Sequence, residues 1–137
     1  NHAYEGGPVT TQMEMDVVEQ LLTMVGFERG WGHLTSGGSL ANMEALWAVR
    51  DSRKPGKLLF SKGSHYSWKR IASILKVDAI VELPVDAHYR MDLDALKKEL
   101  DSGPVMMVMA SLGTTGIGAV DPLDEILEFR DQYEFHL

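Results

Sequence analysis

Apolar residues recur every three or four positions from Gln12 to Phe27. Met13, Val17, Val18, Leu21, Leu22 and Val25 are separated there by Glu14, Asp16, Glu19 and Gln20, which predicts an amphipathic helix. The same period returns from Ser39 to about Arg53 in Leu40, Met43, Leu46, Trp47 and Val49, and Pro55-Gly56 stops it. Lys57 to Phe60 reads as a short strand, Tyr66 to Lys76 as a helix, and Ala79 to Leu83 as a second strand closed by Pro84. Asp92 is placed to cap a helix reaching about Asp101, with Leu93, Leu96 and Leu100 facing inward. Val105 to Ala110 is an unbroken apolar run between Pro104 and a Gly-Thr loop, the pattern of a strand covered on both faces. A last helix runs to about Glu134, with Asp121 as its cap and Pro122 at the first helical position.

This alternation predicts an α/β fold: three α/β/α layers around a mostly parallel sheet, with ligands gathered at the carboxyl ends of the strands. Phe135-His136-Leu137 resembles the opening of a further strand. A chain that stops inside a strand is expected to be one piece of a longer protein or to be completed by a partner, because an unfinished strand exposes unpaired backbone groups.

Composition narrows the function classes. The 137 residues suffice for one domain, and 45% apolar residues supply a core. A net charge of -7 argues against nucleic acid, whose phosphates call for clustered Lys and Arg. With no cysteine, neither a disulfide framework nor a thiolate metal site is open to the chain. No apolar run approaches a bilayer span and no secretory signal is visible, so the expectation is a cytoplasmic protein free of the membrane.

Three small polar loops carry the candidate chemistry: Thr35 to Ser39, Ser61 to Tyr66, and Ser111 to Gly116. If each follows a parallel strand, all three share one rim of the sheet. In the first, Gly37 and Gly38 allow a tight turn, so that helix-start amides and the Ser39 hydroxyl can meet a phosphate. On these residues alone, a turn with a Ser cap is the plainer reading. His65 offers a flat ring for stacking or proton transfer, or is a solvated cap residue; Thr115 offers a hydroxyl, or is a turn former. His2, His33, His88 and His136 lack metal-ligand spacing, so no metal is expected. Met106, Met107 and Met109 read as strand core, and Glu14, Asp16 and Glu19 as a solvated helix face. No Ser-His-Asp arrangement stands out.

Taken in order, Thr35-Ser-Gly-Gly-Ser-Leu-Ala-Asn42, His65-Tyr-Ser-Trp68 and Leu112-Gly-Thr-Thr115 resemble the group II amino-acid decarboxylases that use pyridoxal 5'-phosphate. Gly6 to Met15, Pro84-Val85-Asp86, Tyr89 to Asp92 and Gly118 to Asp121 extend the likeness over nearly the whole chain, most of all to bacterial tyrosine decarboxylases. The resemblance implies the large domain of fold type I (aspartate aminotransferase-like), with residues 1–30 leading into a partial cofactor-binding domain at 31–137. It implies that Gly38 and Ser39 hold the cofactor phosphate, that His65 stacks on the ring and serves catalysis, and that Thr115 lies beside the cofactor. Pro8 and Thr11 fall on a stretch that lines the substrate entrance in such enzymes. The implied reaction converts an L-amino acid, tyrosine or another aromatic, to its amine and carbon dioxide in a homodimeric enzyme.

The family's cofactor-pairing Asp and cofactor-bearing Lys are expected beyond Leu137. Lys54, Lys57, Lys62, Lys69, Lys76, Lys97 and Lys98 all fall outside the family's lysine position. The chain alone is therefore expected to be inactive. The phosphate loop leaves open another reaction on the same fold, a carbon-carbon lyase or a transaminase. A non-catalytic truncated paralogue or interaction unit stays open as well.

Overall fold

A computed structural model of the chain describes residues 6–52 and 55–137; His2, Arg53 and Lys54 lie outside the described residues. The chain divides into two compact units, one ending at Gly38 and the other beginning at Ser39.

In the first unit, helix α1 spans Pro8–Met24, and Pro8 supplies the fixed φ that suits a first helical turn. It therefore starts four residues before the apolar period does. The chain then returns along the helix: Leu34 N–H donates to Glu14 Oε1 at 2.6 Å. Gly30 faces Leu22 and Gly32 faces Val18, so closely that a Cβ would come within 2.6 Å and 3.2 Å of those side chains. Residues 31–35 form no strand, which corrects the expectation that a strand precedes the first polar loop. The predicted amphipathic stripe is present, yet α1 buries no residue, and Val17 and Leu21 stay 40% and 47% exposed.

The second unit carries the sheet. Helix α2 (Gly38–Ser52) leads to β1 (Lys57–Ser61), α3 (Ser67–Ile74), β2 (Ile80–Leu83), α4 (Leu93–Asp101), β3 (Val105–Met109) and α5 (Leu123–Glu128). The three strands are parallel in the order β2-β1-β3. A parallel bridge joins Met107 to His136, with Val108 N–H donating to His136 O at 2.8 Å, so the expected further strand begins beside β3.

Side-chain alternation along β1 sends Leu58 and Phe60 to one face and Leu59 to the other. Leu46 of α2 and Trp68, Ile71 and Ala72 of α3 cover the first face; Leu96 and Leu100 of α4, Ile126 of α5 and Phe135 cover the second. Both faces are thus buried, as a parallel sheet requires. β3 is buried along its whole length, and its methionines are core. The pairing of β1 with β3 skips Met106, a bulge that turns Met106 and Met107 toward the same cluster.

Asp92 caps α4 as predicted, accepting from Ala95 N–H at 2.9 Å. The last helix differs from expectation. α5 ends at Glu128 and passes into a 3-10 turn at Phe129–Asp131, and Pro122 holds the cap position. Asp121 does not cap it, because its carboxylate is drawn into the interior.

Candidate active site

The chain enters the sheet at β1, builds outward to β2, then crosses back over β1 to lay down β3. α3, which follows β1, and α5, which follows β3, lie on opposite faces, so the loops leaving the carboxyl ends of β1 and β3 diverge and leave a crevice between them. A cleft of about 640 Å³ opens there, lined by His65 and Trp68 after β1, by residues 107–115 of β3 and its loop, and by Asn42 and Ala45 of α2. The size suits a cofactor or small metabolite. A larger cavity of about 790 Å³ lies at the amino end, beside Gly56, Lys57 and Pro104. Lys57, its most enclosed cation, is committed to Glu99 O, Glu99 Oε2 and Ser102 Oγ at 2.6–2.8 Å.

His65 stands just before α3 with its side chain exposed on the cleft. Its Nδ1 lies 2.8 Å from Ser67 Oγ and receives Ser67 N–H at 3.3 Å. The Tyr66 ring packs 4.3 Å from the imidazole, tilted by 39°, and Arg70 lies 5.1 Å above Tyr66. The ring is held at Nδ1 and stays exposed on the cleft.

After β3 the chain makes a compact loop closed by the Leu112–Val120 bridge. Gly113, at φ 117°, takes a backbone conformation that a Cβ would strain. The two threonines divide the work. Thr114 is buried: its N–H donates to Ala119 O at 2.9 Å and its hydroxyl accepts from Ala119 N–H at 3.0 Å. Thr115 lies exposed on the cleft, without a hydrogen bond to its hydroxyl among the described residues. Asp121 holds this loop from below. Only 1% exposed, it accepts Met91 N–H at 2.6 Å and Ser111 N–H at 2.8 Å, and so joins the end of β3 to the turn after β2.

The first loop ends where α2 begins. Gly37, at φ 156°, accepts the Thr35 hydroxyl on its carbonyl at 3.0 Å, and Gly38 opens the helix. A Cβ built on either glycine would meet nothing within 4 Å, so the approach to this fifteen-residue helix start is open. Ser39 is exposed and its hydroxyl has no partner among the described residues. Asn42, three residues on and on the same helix face, lines the cleft. Open helix-start amides, a free hydroxyl and an exposed flat ring are a donor set that fits a phosphorylated aromatic cofactor.

His65 and Thr115 therefore line one cleft, and Ser39 lies in the first turn of α2, whose Asn42 and Ala45 line it too. Pro8 and Thr11 belong to the first turn of α1, where the Thr11 hydroxyl donates to Gly7 O at 2.9 Å. Sequence reasoning passed over Asn42, Trp68 and Arg130 as lining residues. It passed over Ser67, for which the His-x-Ser spacing at a helix start was the available signal, and it misread Asp121, whose partners lie 30 and 10 residues away.

Two carboxylates away from the cleft are held in their charged form. The Arg90 backbone N–H, and then its guanidinium, hold Asp86 below the ordinary aspartate value. Hydrogen bonding to Lys97 and Tyr133 does the same for Asp101. Among the described residues no cluster of His, Asp and Glu could hold a metal ion, and no helix is long and apolar enough to cross a membrane.

Comparison with known proteins agrees with this geometry. Residues 2–137 match the profile of the pyridoxal-dependent decarboxylase conserved domain. The L-tyrosine decarboxylase of Levilactobacillus brevis is 28% identical over 98% of this chain and 32% of its own length. The L-2,4-diaminobutyrate decarboxylase of Rhizobium meliloti is 43% identical over 71% of the chain and 22% of its own length. The crystal structure of mouse CSAD superposes with a TM-score of 0.86 at 32% identity, covering 98% of this chain and 33% of that one. The chain thus spans between about a fifth and a third of the length of these relatives. The matched span takes in the α2 start, the loop after β1 and the loop after β3 together, and this chain belongs to the pyridoxal-dependent decarboxylase family.

Proposed function

We propose that the protein removes the α-carboxylate of an L-amino acid as carbon dioxide, with tyrosine or another aromatic amino acid as substrate and pyridoxal 5'-phosphate as cofactor. The observation that carries this reading is the convergence of His65 and Thr115 on one cleft at the switch point of the sheet, beside the helix whose first turn holds Ser39. When bound, the cofactor supplies a conjugated ring that accepts the electron pair left by the departing carboxylate. The chain's own residues bind and orient it. Gly38 and Ser39 hold the phosphate through helix-start amides and a hydroxyl. His65 lies against the ring face, and its fixed orientation leaves little freedom to lose on binding. Thr115 offers a hydroxyl on the facing loop. By the family likeness, Pro8 and Thr11 are assigned to the substrate entrance. The tyrosine assignment draws support from the relatives named L-tyrosine decarboxylase, and the family likeness leads us to place the enzyme in the cytoplasm as a homodimer.

The test is product analysis of the full-length protein with a panel of amino acids. Release of carbon dioxide with the matching amine is the expected outcome; a 2-oxo acid or a carbon-carbon cleavage product overturns the decarboxylase reading. In the same protein, His65→Ala is expected to lower kcat/KM by about 100-fold or more and to weaken cofactor binding about tenfold. Wild-type turnover in that variant removes His65 from the reaction.

A further inference from the structure

The contacts of His65 fix more than its orientation. A backbone N–H can only donate, and Ser67 N–H points at Nδ1 at 3.3 Å, so Nδ1 presents its lone pair. A proton on Nδ1 would face that N–H head-on. The Ser67 hydroxyl, 2.8 Å from the same nitrogen and free to rotate, therefore donates as well. Ser67 is itself 4% exposed at the start of α3, where the buried helix holds it, whereas Nε2 of His65 makes no hydrogen bond among the described residues.

We infer that Ser67 is a positioning residue that locks the neutral His65 ring in the tautomer with its proton on Nε2, so that His65 presents a hydrogen-bond donor, not a base, to an oxygen or nitrogen acceptor on the bound ligand. The inference rests on the functional reading above only for the identity of that ligand; the lock belongs to this chain. It assigns the two halves of the imidazole. Nδ1 is spent on the protein, and Nε2–H is the group left for chemistry.

The full-length protein, labelled with 15N-histidine and kept at alkaline pH without substrate, reads this directly through the ring-nitrogen shifts of His65. Nδ1 is expected to resonate as the unprotonated nitrogen and Nε2 as the protonated one. Ser67→Ala keeps the backbone donor and removes the hydroxyl, and should raise the Nδ1-protonated fraction by up to about tenfold, the equivalent of one hydrogen bond. Ser67→Thr should restore the wild-type pattern. In steady-state assays Ser67→Ala should lower kcat several-fold with little change in KM. A wild-type ring protonated at Nδ1, or a Ser67→Ala spectrum identical to wild type, overturns the lock. The two readings fail separately: the nitrogen shifts judge Ser67 with no turnover required, and the product assay judges the decarboxylase reading with no reference to the tautomer.

Discussion

Helix α1 and helix α4 both show apolar residues at helical spacing, and they bury very different amounts. Leu96 and Leu100 of α4 are 0% and 5% exposed against the sheet, whereas every residue of α1 remains at least partly accessible. α4 is a crossover between neighbouring parallel strands, so its own chain places a hydrophobic surface beneath it within a few residues on either side. Within the first unit α1 packs on the returning segment at 30–34, and two glycines there give it little side-chain area. Periodicity states that a face is apolar; it does not say what will cover it.

Truncating the two stripes gives the sharpest break in this comparison. Leu96→Ala should cost about 3 kcal/mol, the usual range for deleting a fully buried leucine, and Leu21→Ala in α1 should stay within about 0.5 kcal/mol. Urea midpoints of the two variants test this, and equal shifts would erase the contrast. Next in size is Asp121→Asn, which keeps the shape but turns an amide N–H₂ toward one of the two buried backbone donors. A loss of about 2 kcal/mol is expected, with faster amide exchange at Met91 and Ser111. Unchanged exchange there would show that the carboxylate does not hold the loop.

The smallest effect concerns the rim of the second unit. Hydrogen bonding to the Lys57 ammonium lowers the Glu99 pKa from its ordinary 4.5. A carboxylate lowered in the native state contributes stability above its unfolded value, and that share disappears as pH falls through the native value. Glu99→Gln should therefore flatten the loss of stability below about pH 4.5, by under about 1 kcal/mol because the pair is partly solvated. Acid titration of the unfolding midpoint measures it, and parallel wild-type and variant curves would discount the pair.

Much of the layered core could be read directly. β1 and β3 were recognised within one residue of their ends, because continuous apolar runs between Gly and Pro signals suit only covered strands. Asp92 was read as a cap because capping is local: its acceptor and donor lie three residues apart. Asp121 carried the same local signature before Pro122, and there the reading failed. Met91 N–H and Ser111 N–H, remote in sequence, supply a stronger competing claim on its carboxylate. Thr114 and Thr115 look alike in the sequence, and only the closure of the 112–120 loop buries the first and leaves the second on the cleft.

Residue order alone decided the helical and strand periods, the parallel topology they require and the family likeness in three polar loops, because each depends on neighbours within a few positions. Tertiary structure decided which apolar faces are covered, which of two threonines is free, and that Ser67 holds the His65 ring. Those outcomes depend on the distances between segments, and the crossing of the chain over β1 sets them.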